Sequence, residues 1–201
     1  MLFRSIILTG MLYSALIAHP TLPANSVKEL FDLVKAKPGT VSFATSGQAS
    51  QPTIIVEWLK HARGLEFLAV PYKVQTQGAT AVIAGEAMVT TFTIGQAVNF
   101  AKAGKVKVLA QNSDGRSRHM PDVPSFTESG FGINIRNWLG LFGPAGMPRE
   151  LVQRLHADVN KNLLQNPPLR DKFLTANGLE IEGPRSEEHT SELQSRGLIS
   201  Y

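Results

Sequence analysis

Apolar and polar positions along this chain follow two periods, and the switches between them mark its elements. Val27, Leu30, Phe31 and Val34 fall at i, i+3, i+4 and i+7, which predicts a helix with one apolar face. Ser26 with Glu29 three residues on is a capping box at its start, and Pro38-Gly39 ends it. Val41, Phe43 and Ala44 predict a short buried strand, and Ile55, Trp58, Leu59 and Ala62 predict a helix that stops at Gly64. Strands are then predicted at 65–70, 87–92 and 106–110. Between them lie a helix at 75–84 closed by Gly85, a turn at 93–95, and a helix at 96–103 closed by Gly104. Strand and helix alternate at short spacing, which predicts a parallel α/β sheet. Right-handed crossovers place the turns that follow such strands on one edge, so the loops at Ser46, Tyr72 and Thr93 are expected along one rim.

Beyond the alternation, 111–124 is a polar loop and 125–129 a predicted short helix. An extended apolar segment, 133–142, contains Trp138. Val152, Leu155, Val159 and Leu163 form one stripe of a long helix that Pro167-Pro168 interrupts. A helix at 169–177 and a strand at 179–182 follow. The segment 133–181 is expected to lack sheet partners and to expose its apolar stripes. At the other end, 1–18 supports two readings. One is a signal peptide with Arg4, an apolar run and small residues before a cleavage point; the other is a turn at Thr9-Gly10 and a buried strand at 12–18. The apolar run is too short to span a membrane.

The stretch 40–50, T-V-S-F-A-T-S-G-Q-A-S, carries the chemistry. A strand breaks into Thr45, Ser46, Gly47, Gln48, Ala49 and Ser50, all small or polar, and a helix follows with Pro52 in its first turn. This order aims unpaired backbone N–H groups at whatever sits beyond the helix end, and that is a pocket for a carboxylate or phosphate. Ser50 is the expected cap. The plainer alternative is an ordinary strand-to-helix turn.

Composition narrows the classes. The chain has 201 residues with 43% apolar and 18% charged, enough for a folded core. Net charge is +4, but lysines and arginines are scattered and not interleaved with aromatics, which argues against nucleic acid as a partner. The excess suits small acidic ligands. With no cysteine, disulfides and thiolate metal sites are excluded. No G-x-S-x-G, H-E-x-x-H, Walker A or G-x-G-x-x-G occurs. A hydrolase using Ser46 or Ser50 needs a base in reach, and His61 lies about three helical turns from Ser50. No catalytic residue, metal ligand or cofactor site is therefore assigned.

Residues 185–194, R-S-E-E-H-T-S-E-L-Q, are the in-frame translation of a sequencing-adapter oligonucleotide, AGA TCG GAA GAG CAC ACG TCT GAA CTC CAG. The alternative is a solvated charged helix. Residues 185–201 are set aside on this ground, and His189 beside Glu187 and Glu188 is not taken as a metal site.

Six motifs in order carry a family pattern: N-S-V-K-E-L-F (25–31), K-P-G-T-V-S-F-A-T-S-G (37–47), V-P-Y-K (70–73), A-G-K-V-K-V-L-A (103–110), R-S-R-H-M-P-D-V-P-S-F-T-E-S-G (116–130) and W-L-G-L-F-G-P-A-G-M-P (138–148). The chain resembles the solute receptors of tripartite tricarboxylate transporters, the Bug receptors, from about residue 8 to 184. The resemblance implies an α/β, type II periplasmic-binding-protein fold with one nearly complete parallel-sheet lobe and a partial second lobe. It implies a non-enzymatic, periplasmic receptor that binds a small carboxylate, serves the membrane subunits of a transporter, and is a monomer when complete. It favours the strand reading of 12–18. Residues 1–17 would be a remnant of the first lobe with a hinge strand, 18–126 the second lobe, and 127–184 a return to the first. The expected ligand-binding residues are Thr45, Ser46, Gly47, Gln48, Ala49, Ser50, Tyr72, Thr91 and Thr93. The family carries more chain before residue 8, so an internal piece is expected, without a convincing signal peptide; a mis-assembled, inactive fragment is the alternative. Val74 stands where many members have glycine, and Met88 where many have an acidic residue.

Overall fold

The structure is a computed structural model that describes residues 3–113, 115–117, 119–133, 135, 137–175 and 179–180. The chain divides into two compact units, Tyr13–Arg136 and Met1–Leu12 with Asn137–Tyr201. Among the described residues no helix is long and apolar enough to cross a membrane.

The Tyr13–Arg136 unit is a five-stranded sheet flanked by four helices. In chain order they are β2 (Ser14–Ala18), α1 (Val27–Ala36), β3 (Ser42–Ser46), α2 (Gln51–Arg63), β4 (Leu68–Tyr72), α3 (Gln75–Ala84), β5 (Val89–Thr93), α4 (Ile94–Lys102) and β6 (Lys107–Asn112). The strand order is β4-β3-β5-β2-β6. β3 pairs with β4 and β5 in parallel, as the alternation predicts, while β2 runs antiparallel between β5 and β6. The four alternating strands thus share one direction, and β2 is the reversed strand at the point where the order changes. One face of the sheet carries Phe43, Val89 and Leu16, packed under Leu30 of α1 and Ile55 and Leu59 of α2. Phe126 and Phe131 stack at 4.2 Å and join the same core. The opposite face carries Ala44, whose Cβ lies 3.2 Å from where a Cβ on Gly78 of α3 would stand. Only a residue without a side chain lets α3 lie that close to the sheet.

Several boundaries differ from the sequence reading. The strand expected at 65–70 runs Leu68–Tyr72, through Pro71, because β4 is the sheet edge and a missing N–H there costs no ladder bond. The expected turn at 93–95 is absent: Thr93 ends β5 and Ile94 opens α4, with the Ile94 N–H bonded to the Tyr13 carbonyl at 3.0 Å. The expected helix at 125–129 is a single turn. Ser125 and Glu128 close it reciprocally, the Ser125 N–H donating to Glu128 Oε2 at 2.7 Å and the Glu128 N–H to Ser125 Oγ at 3.2 Å.

The other unit is a three-stranded antiparallel sheet, ordered β7-β1-β8, from β1 (Phe3–Leu12), β7 (Asn137–Pro144) and β8 (Leu179–Glu180). This corrects two expectations. Thr9-Gly10 is no turn; it lies inside β1, where the register against β7 shifts between Leu8 and Gly10. The segment 133–181 does find sheet partners, since both β7 and β8 pair with β1. Its apolar side chains nevertheless stay exposed at Leu139, Leu141 and Phe142. α5 (Arg149–Val159) continues as a π-helical segment, Asn160–Leu164, before α6 (Pro167–Phe173). α6 stands where the sequence predicts a helix at 169–177; 176–178, the end of the 179–182 strand and the 185–201 tail lie outside the described residues.

Candidate functional site

β3, β4 and β5 run parallel, so Ser46, Tyr72 and Thr93 end their strands on one edge of the sheet, and Ser46 is in register with Tyr72. A helix begins directly after each strand: α2, α3 and α4. None of the three caps, Ser50, Val74 and Thr93, makes a side-chain capping bond, and none of the three first turns holds an acidic residue. α1, which follows β2 on the opposite edge, differs on both counts: Ser26 caps it and Glu29 sits in its first turn. Three adjacent helix ends therefore point uncompensated positive dipole ends toward the same rim.

The bend itself is exposed at Gly47, Gln48 and Ala49. Among the described residues their N–H groups donate to no acceptor. Gly47 has φ +57, a conformation costly for a residue with a side chain, and its carbonyl accepts the Thr53 hydroxyl at 2.8 Å. Thr53 in turn bonds Ser50 Oγ at 2.9 Å. Ser50 therefore marks the helix start as expected, but its hydroxyl braces the bend instead of capping an amide. Its partner is a hydroxyl rather than an imidazole. His61 instead faces Glu57 at 3.7 Å on its own helix.

The remaining expected residues divide between the two faces of the sheet. Thr45, Thr91 and Thr93 share the α1/α2 face with Phe43 and Val89, while Ser46 and Tyr72 share the α3 face with Ala44. Thr45 is buried and its hydroxyl donates weakly to the Val70 carbonyl at 3.4 Å. Thr93 Oγ1 bonds Gln96 Oε1 at 3.3 Å. Tyr72 lines a groove of about 360 Å³ with Thr76, Gln77 and Thr80 along α3, apart from the Gly47 bend. Val74 has φ −140, so this position makes no demand for glycine. Met88 is spent structurally, its N–H bonding the Ser42 carbonyl at 3.1 Å and the Ser42 hydroxyl at 2.9 Å.

Sequence reasoning missed three rim residues, Ser14, Gln51 and Gln75. Ser14 stands opposite both Thr93 and Asn112 in the sheet. Its signal was a lone hydroxyl within an apolar run. Gln51 is the first residue of α2. Gln75 is the third, holding α3 to the rim through a 3.0 Å bond from its amide to the Thr91 carbonyl. Among the described residues no group of three or more His, Asp or Glu side chains is placed to hold a metal.

Residues 4–196 match the sequence profile of the tripartite tricarboxylate transporter family receptor. The chain belongs to that receptor family. The match reaches past residue 185, into the stretch set aside on codon grounds. The chain is 27% identical over 176 residues to a UPF0065 protein of Bordetella pertussis, covering 87% of this chain and 54% of that protein. It is 26% identical over 149 residues to BugT of the same organism, covering 74% and 46%. The structure of MatC from Rhodopseudomonas palustris with bound malate superposes with a TM-score of 0.81 at 25% identity, covering 98% of this chain and 66% of that one. The fold is thus the α/β fold of periplasmic binding proteins. The chain spans about half the length of the curated relatives it matches.

Proposed function

We propose that this chain is the ligand-gripping part of a periplasmic receptor that binds a small carboxylate and presents it to the membrane subunits of a tripartite transporter. The receptor works as a monomer and makes or breaks no bond. The observation that carries this reading is the trio of uncapped, acid-free helix starts beside the unpaired amides of Gly47, Gln48 and Ala49. Helix ends alone are too weak: each contributes about 0.3–1 kcal/mol to an exposed anion. Micromolar affinity needs about 8 kcal/mol net. Direct bonds from neutral donors to a carboxylate, at about 1.5–3 kcal/mol each, supply the larger share. That is why free amide hydrogens matter more here than charge. MatC, whose structure has malate bound, supports a carboxylate over a phosphate. Titration calorimetry on the full-length protein with mono-, di- and tricarboxylates tests the proposal. Saturable binding of at least one is expected, and a flat response to all of them sinks it.

A further inference from the structure

We infer that Asn112 is a positioning residue that couples the carboxylate rim to the point where the chain leaves the Tyr13–Arg136 unit. This rests on the carboxylate reading above and concerns how the grip is held, not what it touches.

Two neighbouring carboxamides end β6, and both are buried. Their side chains leave the strand on opposite faces. Gln111 serves the loop that follows. Its Oε1 accepts the Ser117 N–H at 2.9 Å, and its Nε2 donates to the Met120 carbonyl at 2.9 Å. Asn112 reaches past that loop. Its Nδ2 donates to the Ile135 carbonyl at 2.5 Å, and its Oδ1 accepts the Ile135 N–H at 3.2 Å. Both backbone groups of one residue are thus held by one side chain, as a neighbouring strand would hold them. A carboxamide can do this because it carries a donor and an acceptor side by side.

The place of the two partners gives the contact its meaning. Ile135 stands one residue before Arg136, where the unit ends, and Ser14 stands one residue after Tyr13, where it begins. Asn112 pairs with Ser14 in the sheet. One residue therefore ties the entry of the chain to its exit. The entry is in turn fastened to the rim. Ser14 pairs with Thr93, and the Tyr13 carbonyl accepts the Ile94 N–H in the first turn of α4. A continuous path runs from one rim helix start through Tyr13, Ser14 and Asn112 to Ile135. Coupling along it is reciprocal: if freeing Ile135 weakens the carboxylate, the carboxylate must tighten Ile135 by the same factor.

Amide hydrogen exchange and calorimetry on the full-length protein test this, with malate and succinate as probes. In wild type, saturating malate is expected to slow exchange at Ile135 about tenfold more than at Ser117. Asn112→Leu is expected to remove that difference and to weaken both acids by one common factor of about tenfold. Asn112→Asp keeps the acceptor and loses the donor, so a smaller common loss is expected; it covers the case in which Asn112→Leu fails to fold. Gln111→Met cuts only the loop contacts. It is expected to lower the unfolding midpoint and leave both affinities within about twofold, as a purely structural amide would. Malate that slows Ile135 no more than Ser117, or Asn112 variants that lower the midpoint without weakening the acids, overturns the coupling and leaves the carboxylate grip standing. A loss that differs between the acids makes Asn112 a contact and overturns it as well. If neither acid binds, two binders from the wider panel take their place, and a panel without a binder overturns both readings.

Discussion

The hydroxyl of Ser26 accepts the N–H of Glu29 at 3.2 Å, and the Glu29 carboxylate accepts the Asn25 N–H at 2.8 Å. Ser50 occupies the matching position on α2 and does neither, its hydroxyl going to Thr53. The two serines should therefore respond differently to truncation. Ser26→Ala is expected to cost about 1 kcal/mol, the usual loss of a cap. Ser50→Ala should stay within about 0.5 kcal/mol, as for a surface change that removes no cap. Urea unfolding of both variants measures the difference. An equal cost would mean that Ser50 caps α2 in solution and that its amides are engaged.

This contrast also shows what is legible in the sequence. α1 and α3 can be read with nearly their observed bounds because each carries its own stop signals, Ser26 and Glu29 at one start and Gly85 at one end. The shared rim of Ser46, Tyr72 and Thr93 follows from handedness alone. β1 is misread because its pattern is broken by register shifts against β7, at Ser5/Ile7 and Leu8/Gly10. A strand whose partner lies more than a hundred residues away leaves no local trace of the pairing. Ser14 and Gln51 are missed for a related reason. A lone serine among apolar residues reads as filler until the sheet shows that nothing bonds it.

Phe126 stacks on Phe131, which in turn contacts Phe31 of α1 at 5.5 Å, so the loop after β6 is anchored by its rings. Phe126 is 1% exposed. Phe126→Ala should cost about 3–5 kcal/mol, the range for a fully buried aromatic. The denaturant midpoint reports it. A loss below about 1 kcal/mol would place this ring outside the core.

Glu128 gives the loop a pH signature. The backbone N–H of Ser125, and after it the Arg116 side chain, hold its carboxyl below the ordinary value of 4.5. A lowered carboxylate pKa in the folded state stabilises above the unfolded value and is lost as pH falls through the folded one. Glu128→Gln should therefore be less stable than wild type at neutral pH, with the gap closing below about pH 4.5. Thermal melts of both proteins across the acid limb show it. A gap that persists unchanged at about pH 3 would mean the carboxylate's charge is irrelevant.

Gln48 offers the sharpest separation of fold from function. Its side chain is exposed on the bend, immediately before a helix whose first turn holds no acid. Gln48→Glu places a fixed carboxylate near the positive end of α2. That end should reward it, so stability is expected to hold or rise by about 0.3–1 kcal/mol. The same charge stands where the ligand's carboxylate would go, and like charges in one site repel. Carboxylate affinity is therefore expected to fall tenfold or more while the melting temperature does not. A purely structural bend predicts the first effect without the second. Calorimetry and a thermal melt on the same preparation distinguish them, and undiminished binding by this variant would move the anion away from Gly47.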